Sequence, residues 1–154
     1  MSDPAPAPTP SRPVPAAPPR FHVMAKPTGA ICNLACSYCF FLDKEAMHPG
    51  SSFRMDGETL EAYVRGLIEA HRSDRVTFAW QGGEPTLMGL GFFRRAAELQ
   101  ERYRRPGMTF ENTLQTNGTR IDAEWAAFLA EHEYLVGISI DGPRALHDGN
   151  RVDK

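Results

Sequence analysis

The sequence predicts an α/β fold built on a parallel sheet, and two observations carry that prediction. Short β-like runs alternate with amphipathic helical stretches in the order βαβαβαβ, and strands separated by helices pair in parallel through right-handed crossovers. The unusual residue clusters also fall just after the strands, where open α/β sheets and barrels keep their chemistry. Four such loops gathered on one rim would make a site.

Each element has a local reason. Phe21–Lys26 reads as a first strand, ended by Pro27. Asp56 is placed to cap a helix whose apolar residues Leu60, Val64, Leu67 and Ile68 share one face. Arg75–Gln81 contains the β-like run Val-Thr-Phe-Ala-Trp and is broken by Gly82-Gly83. Phe92, Ala96, Leu99 and Tyr103 mark a second helix, stopped by Pro106-Gly107. Met108–Thr116 is a third strand with Asn117-Gly118 as its turn. Asp122 caps a third helix that turns Trp125, Phe128 and Leu129 inward, and Tyr134–Ile140 is a fourth strand ended by Asp141-Gly142-Pro143.

Composition narrows the class. Of 154 residues, 42% are hydrophobic and 23% charged, the profile of a globular domain and not of a fibrous or wholly disordered chain. Eight of the 13 prolines lie between Pro4 and Pro19, so residues 1–20 are expected to form a disordered Pro/Ala-rich tail ahead of a folded unit over 21–154. That tail has neither the basic start nor the apolar core of a signal peptide. A net charge of −2 gives no cationic face for nucleic acid or an anionic membrane. The uncharged run Ala30–Leu42 is too short to cross a bilayer. An odd cysteine count without an export signal points to reduced thiols and a cytoplasmic setting.

The only cysteines, Cys32, Cys36 and Cys39, are spaced C-x3-C-x2-C. Three thiolates on one short loop can hold three corners of a cubane that wants four ligands, leaving one iron open to an outside molecule. Zinc held with His22 or His48, or free structural thiols, are the alternatives on spacing alone. Tyr38 and Phe40 are placed to shield a bound group.

The stretch Cys32-Asn33-Leu34-Ala35-Cys36-Ser37-Tyr38-Cys39 resembles the signature of the radical SAM superfamily. The resemblance implies a [4Fe–4S] cluster whose open iron is chelated by S-adenosylmethionine, which is cleaved to a 5′-deoxyadenosyl radical. It also implies the first four strands and intervening helices of a partial (β/α)6 barrel. Gln81-Gly82-Gly83-Glu84-Pro85-Thr86-Leu87 resembles that superfamily's GGEP segment. With Leu114–Thr119 and Val136–Pro143, it narrows the likeness to anaerobic sulfatase-maturating enzymes, which oxidise a sulfatase cysteine or serine to Cα-formylglycine.

Carried across, the resemblance makes Cys32, Cys36 and Cys39 the cluster ligands. Tyr38, Gly82, Gly83, Glu84, Ser139 and Arg151 become the cofactor contacts, and Gln81 and Asn117 the substrate contacts. Phe41 stands where these maturases often carry tyrosine. The implied partners are a sulfatase polypeptide and a reducing donor of flavodoxin or ferredoxin type. Members of the group continue into further strands and a cysteine-rich domain. The expectation is therefore a core truncated at Lys154, with the proton-accepting carboxylate beyond it and no catalytic residue assigned within the chain. Another radical SAM peptide maturase, or an inactive cluster-binding fragment, would share the same motifs.

Overall fold

The structure, a computed structural model, describes residues 21–41 and 43–154; the expected tail over 1–20 lies outside them. Four strands, β1 (Met24–Ala25), β2 (Arg75–Trp80), β3 (Thr109–Thr116) and β4 (Leu135–Ile138), form one sheet in the order β1-β2-β3-β4. Every pair is parallel. Helices α1 (Gly57–Ala70), α2 (Leu90–Tyr103) and α3 (Ala123–Glu131) make the crossovers, and a short α4 (Arg144–Asn150) follows β4. Among the described residues no helix is long and apolar enough to cross a membrane.

The helices start where their caps lie. The Asp56 carboxylate accepts from the Thr59 N–H at 2.7 Å, and Asp122 accepts from Trp125 N–H at 2.9 Å, each satisfying an orphan donor of a first turn. The α1 residues expected inward, Leu60, Val64, Leu67 and Ile68, are all buried. β2 alternates, with Val76, Phe78 and Trp80 buried against the helices while Thr77 and Ala79 are half-buried on the opposite face. A parallel strand covered on both faces would read as a continuous apolar run. Here only one face is packed by helices, and the residues of the other stay half-buried.

An aromatic cluster fills the packed face. Phe93 of α2 meets Trp80 at 5.6 Å and Trp125 of α3 at 5.2 Å, both edge-on. Each of these side chains contributes roughly 1.5–3 kcal/mol by leaving water. A polar knot sits among them. Asn112 of β3 and Gln100 of α2 exchange two amide hydrogen bonds at 2.9 and 3.0 Å, and the Trp80 indole N–H donates to the same Asn112 oxygen.

Three details depart from expectation. The first strand is two residues long, because Phe21 swings to the end of α1, where the His71 ring bonds its carbonyl and stacks on its side chain at 4.2 Å. The fourth strand ends at Ile138, although Ser139 N–H still reaches Thr116 O before the chain turns away. α4 is a new element, and none of its residues is buried.

Candidate functional site

The cysteine loop is held from both sides by backbone. On one side Gly83 N–H donates to Gly29 O and Glu84 N–H to Ile31 O, both at 2.9 Å. On the other, the end of α4 and the segment after it run alongside: Ala35 N–H meets Val152 O, Ser37 N–H meets Asn150 O, and Lys154 N–H meets Asn33 O. The loop after β2 therefore interlocks with the loop after β1. A β-carbon at Gly83 would lie 2.1 Å from Ile31 O, and Gly82 adopts φ +126° with 2.9 Å to Gly29 O. These glycines make room for the cysteine loop, and both also line the cavity where the sequence expects a ligand.

The three thiols line a cavity of about 190 Å³ together with Tyr38, Phe41, Gln81, Gly82, Gly83, Gln115, Asn117, Ser139 and Arg151. That is below the usual size of a small-molecule pocket, so these residues enclose only part of a ligand of ordinary dimensions. A larger groove of about 620 Å³ lies between α2 and α3, lined by Arg94, Glu98, Glu124 and Phe128, and shares no residue with the cysteine cavity.

Glu84 is not in the cavity. It is wholly buried, and its carboxylate accepts from Thr86 N–H and Oγ1–H, from Thr116 Oγ1–H and from Asn117 N–H, at 2.6–2.9 Å. Three of these donors meet Oε1 and one meets Oε2, so the side chain grouped by sequence with the cofactor contacts ties the loop after β2 to the loop after β3.

Asn117, expected to face substrate, turns its amide to the cysteine loop. Its Nδ2 donates to Asn33 Oδ1 at 3.0 Å and lies 3.7 Å from Cys32 Sγ, while its Oδ1 accepts from Thr119. Gln81 lines the cavity, and Ser139 Oγ accepts from Gln115 Nε2 at 3.0 Å.

Arg151, which by position alone would be a solvent-exposed residue, is mostly enclosed. Its Nε and Nη2 grip both oxygens of Asp141 at 3.1 Å, Nη1 lies 3.8 Å from Cys36 Sγ, and the guanidinium sits over the Tyr38 ring. Tyr38 donates its hydroxyl to the same carboxylate at 2.6 Å. The Tyr38 hydrogen bond, then Arg151, holds the Asp141 carboxyl below its ordinary range, and the same bond pushes the Tyr38 hydroxyl up. Burial pushes the Cys36 thiol up, and Arg151 opposes that shift. Asp141 is the site residue that sequence reasoning missed; as an acid at a strand end with no helix to cap, it carried a weak signal.

Three thiols on one loop, lining one cavity, are a donor set that fits an iron–sulfur cluster. Among the described residues no three His, Cys, Asp or Glu side chains converge on one point, as zinc would require. Neither His22 nor His48 lines the cavity. A cubane makes no such demand, because each thiolate binds its own iron.

Comparison with known proteins shows what the chain is similar to. A sequence model of the radical SAM superfamily matches residues 27–151. A serine-type anaerobic sulfatase-maturating enzyme of Bacteroides thetaiotaomicron is 43% identical over 134 residues, 86% of this chain and 32% of that protein. A cysteine-type enzyme of Clostridium perfringens is 42% identical over 136 residues, 88% of this chain and 36% of that protein. A solved structure of native anSMEcpe with bound AdoMet and Cp18Cys peptide superposes with TM-score 0.76 at 43% identity, covering 84% of this chain and 34% of that one. The chain spans about a third of the length of the relatives it matches.

Proposed function

The chain belongs to the radical SAM superfamily, and on that premise we propose that Cys32, Cys36 and Cys39 hold a [4Fe–4S] cluster with S-adenosylmethionine at its open iron. When bound, the pair supplies a 5′-deoxyadenosyl radical. We further propose that this radical starts the oxidation of a cysteine or serine of a sulfatase to Cα-formylglycine. The observation that carries the reading is three thiols on one loop, lining one cavity with Gly82, Gly83, Ser139 and Arg151.

The chain's own residues divide the work. The interlocked loops after β1 and β2 fix the thiolates, and Glu84 fixes the loop after β3 against them. Tyr38, at the cavity wall, is the aromatic surface for the adenine. Ser139 and the backbone of Gly82 and Gly83 are the polar contacts for the nucleoside and methionyl parts. Gln81 faces the substrate, which in this reading is a sulfatase peptide, and the reductant is a flavodoxin or ferredoxin. Both serine-type and cysteine-type enzymes are similar to the chain to the same degree, so the target residue follows from neither. Phe41 on the cavity wall supports a second reading, a radical SAM maturase of a different peptide.

Anaerobic reconstitution with iron and sulfide tests the reading. The protein is expected to gain iron–sulfur absorbance that changes on adding S-adenosylmethionine, and to release 5′-deoxyadenosine after dithionite. Sulfatase peptides carrying Cys or Ser at the target are then scored for formylglycine by mass spectrometry. Nucleoside release without conversion of either peptide favours the second reading. A loaded cluster that yields no nucleoside overturns both.

A further inference from the structure

Cys32 and Cys36 each meet a side-chain N–H, whereas among the described residues no side-chain donor reaches the Cys39 sulfur. Asn117 Nδ2 lies 3.7 Å from Cys32 Sγ and Arg151 Nη1 lies 3.8 Å from Cys36 Sγ. Both donors are aimed by other groups. The Asn117 oxygen accepts from Thr119 N–H and Oγ1–H at 3.0 and 2.8 Å, which fixes its amide so that the nitrogen faces the cysteine loop. Its backbone N–H is held by the buried Glu84 carboxylate at 2.7 Å. Arg151 gives Nε and Nη2 to Asp141, which leaves Nη1 for the sulfur. With 13% of its side chain exposed, the guanidinium is poorly screened by water.

Hydrogen bonds to ligating sulfurs withdraw charge from an iron–sulfur cluster, and they are one of the main means by which proteins set its potential. A nearby cation acts in the same direction. Resting on the reading that these thiolates hold a [4Fe–4S] cluster, we infer that Asn117 and Arg151 are positioning residues that raise its reduction potential through Cys32 and Cys36, with Asp141 aiming Arg151. Both residues therefore act on the metal side of the cavity, a role separate from the substrate and cofactor contacts expected of them.

The test is an EPR-monitored redox titration of the reconstituted protein without S-adenosylmethionine, for wild type, Asn117→Ala and Arg151→Gln, with iron content measured on each. Both variants are expected to keep their iron and become harder to reduce. The ratio of reduced to oxidised cluster at a fixed potential should fall about tenfold, a shift of ~59 mV for one electron. Arg151→Lys, which keeps the charge without the fork, is expected to recover part of the loss. Iron-replete variants with the wild-type potential overturn the inference. Should Arg151→Gln lose its iron, Asn117→Ala and Arg151→Lys decide it by the same readout. A wild-type protein that takes up no iron overturns the cluster reading instead, so the two failures are distinguishable.

Discussion

A β-carbon at Gly83 would strike the carbonyl oxygens of Ile31 and Ala30, at 2.1 and 2.7 Å, and both are backbone, so no side-chain rotation relieves the clash. Gly66, within α1, has open space around it. Gly66→Ala is therefore expected to stabilise the fold by about 0.5–1 kcal/mol, because alanine loses less entropy in a helix. Gly83→Ala is expected to cost about 3 kcal/mol or more as backbone is forced apart. Urea melts of the two variants measure the contrast, and equal midpoints would refute the interlock. At Glu84, Gln would turn an amide N–H2 toward groups that themselves donate, at a cost of about 2–3 kcal/mol in the same melts. The sequence could not separate these roles. A Gly-Gly-Glu-Pro run is legible as one segment, but whether its residues meet a ligand or a neighbouring loop depends on groups some fifty residues upstream and thirty downstream.

α1 and α2 are tied by a polar contact on the flank of the core. Tyr103 donates its hydroxyl to Glu61 Oε1, and Arg102 and Arg95 lie within ion-pair reach. The Tyr103 bond first, then the arginines, holds the Glu61 carboxyl below its ordinary 4.5. A depressed carboxyl stabilises the fold above its unfolded value and loses that contribution as pH falls through the lower folded one. Glu61→Gln is thus expected to melt below wild type at neutral pH, the gap narrowing from about pH 5 downward; a gap independent of pH refutes the assignment. Elements of this kind were legible where capping and spacing are local, as with Asp56 and the inward face of α1. α4 was not, since Arg144–Asn150 buries no residue and contains Gly149, leaving no apolar stripe to read. Without α4 the sequence gives no reason for Asp141 and Arg151 to meet, and so their pairing went unseen.

Across the whole molecule the sheet is asymmetric. β2 and β3 have neighbours on both sides, while β4 pairs only with β3 among the described residues and leaves Leu135 72% and Ile138 52% exposed. An open apolar parallel edge is a template for further strands. The chain taken alone is expected to self-associate, with apparent mass rising with concentration in light scattering, and Leu135→Lys is expected to suppress that rise. A wild-type chain that stays monomeric while melting sharply would refute the expectation. The parallel order was legible because helix-length stretches separate the strands, leaving room only for crossovers. The extent of β1 was not, since its start is decided by a histidine at the far end of α1.

The segment that runs beside the cysteine loop also sets a schedule. Arg151 and Val152 are needed to complete the cradle, yet Arg151 is made 115 residues after Cys36. At about 5–20 residues per second, roughly 6–23 s of translation separate the thiols from the residues that enclose them. During that interval the contacts that Asn150, Arg151, Val152 and Lys154 make with the cysteine loop are not yet available. The cavity that the three thiols line is thereby closed only once the sheet and α4 have been made.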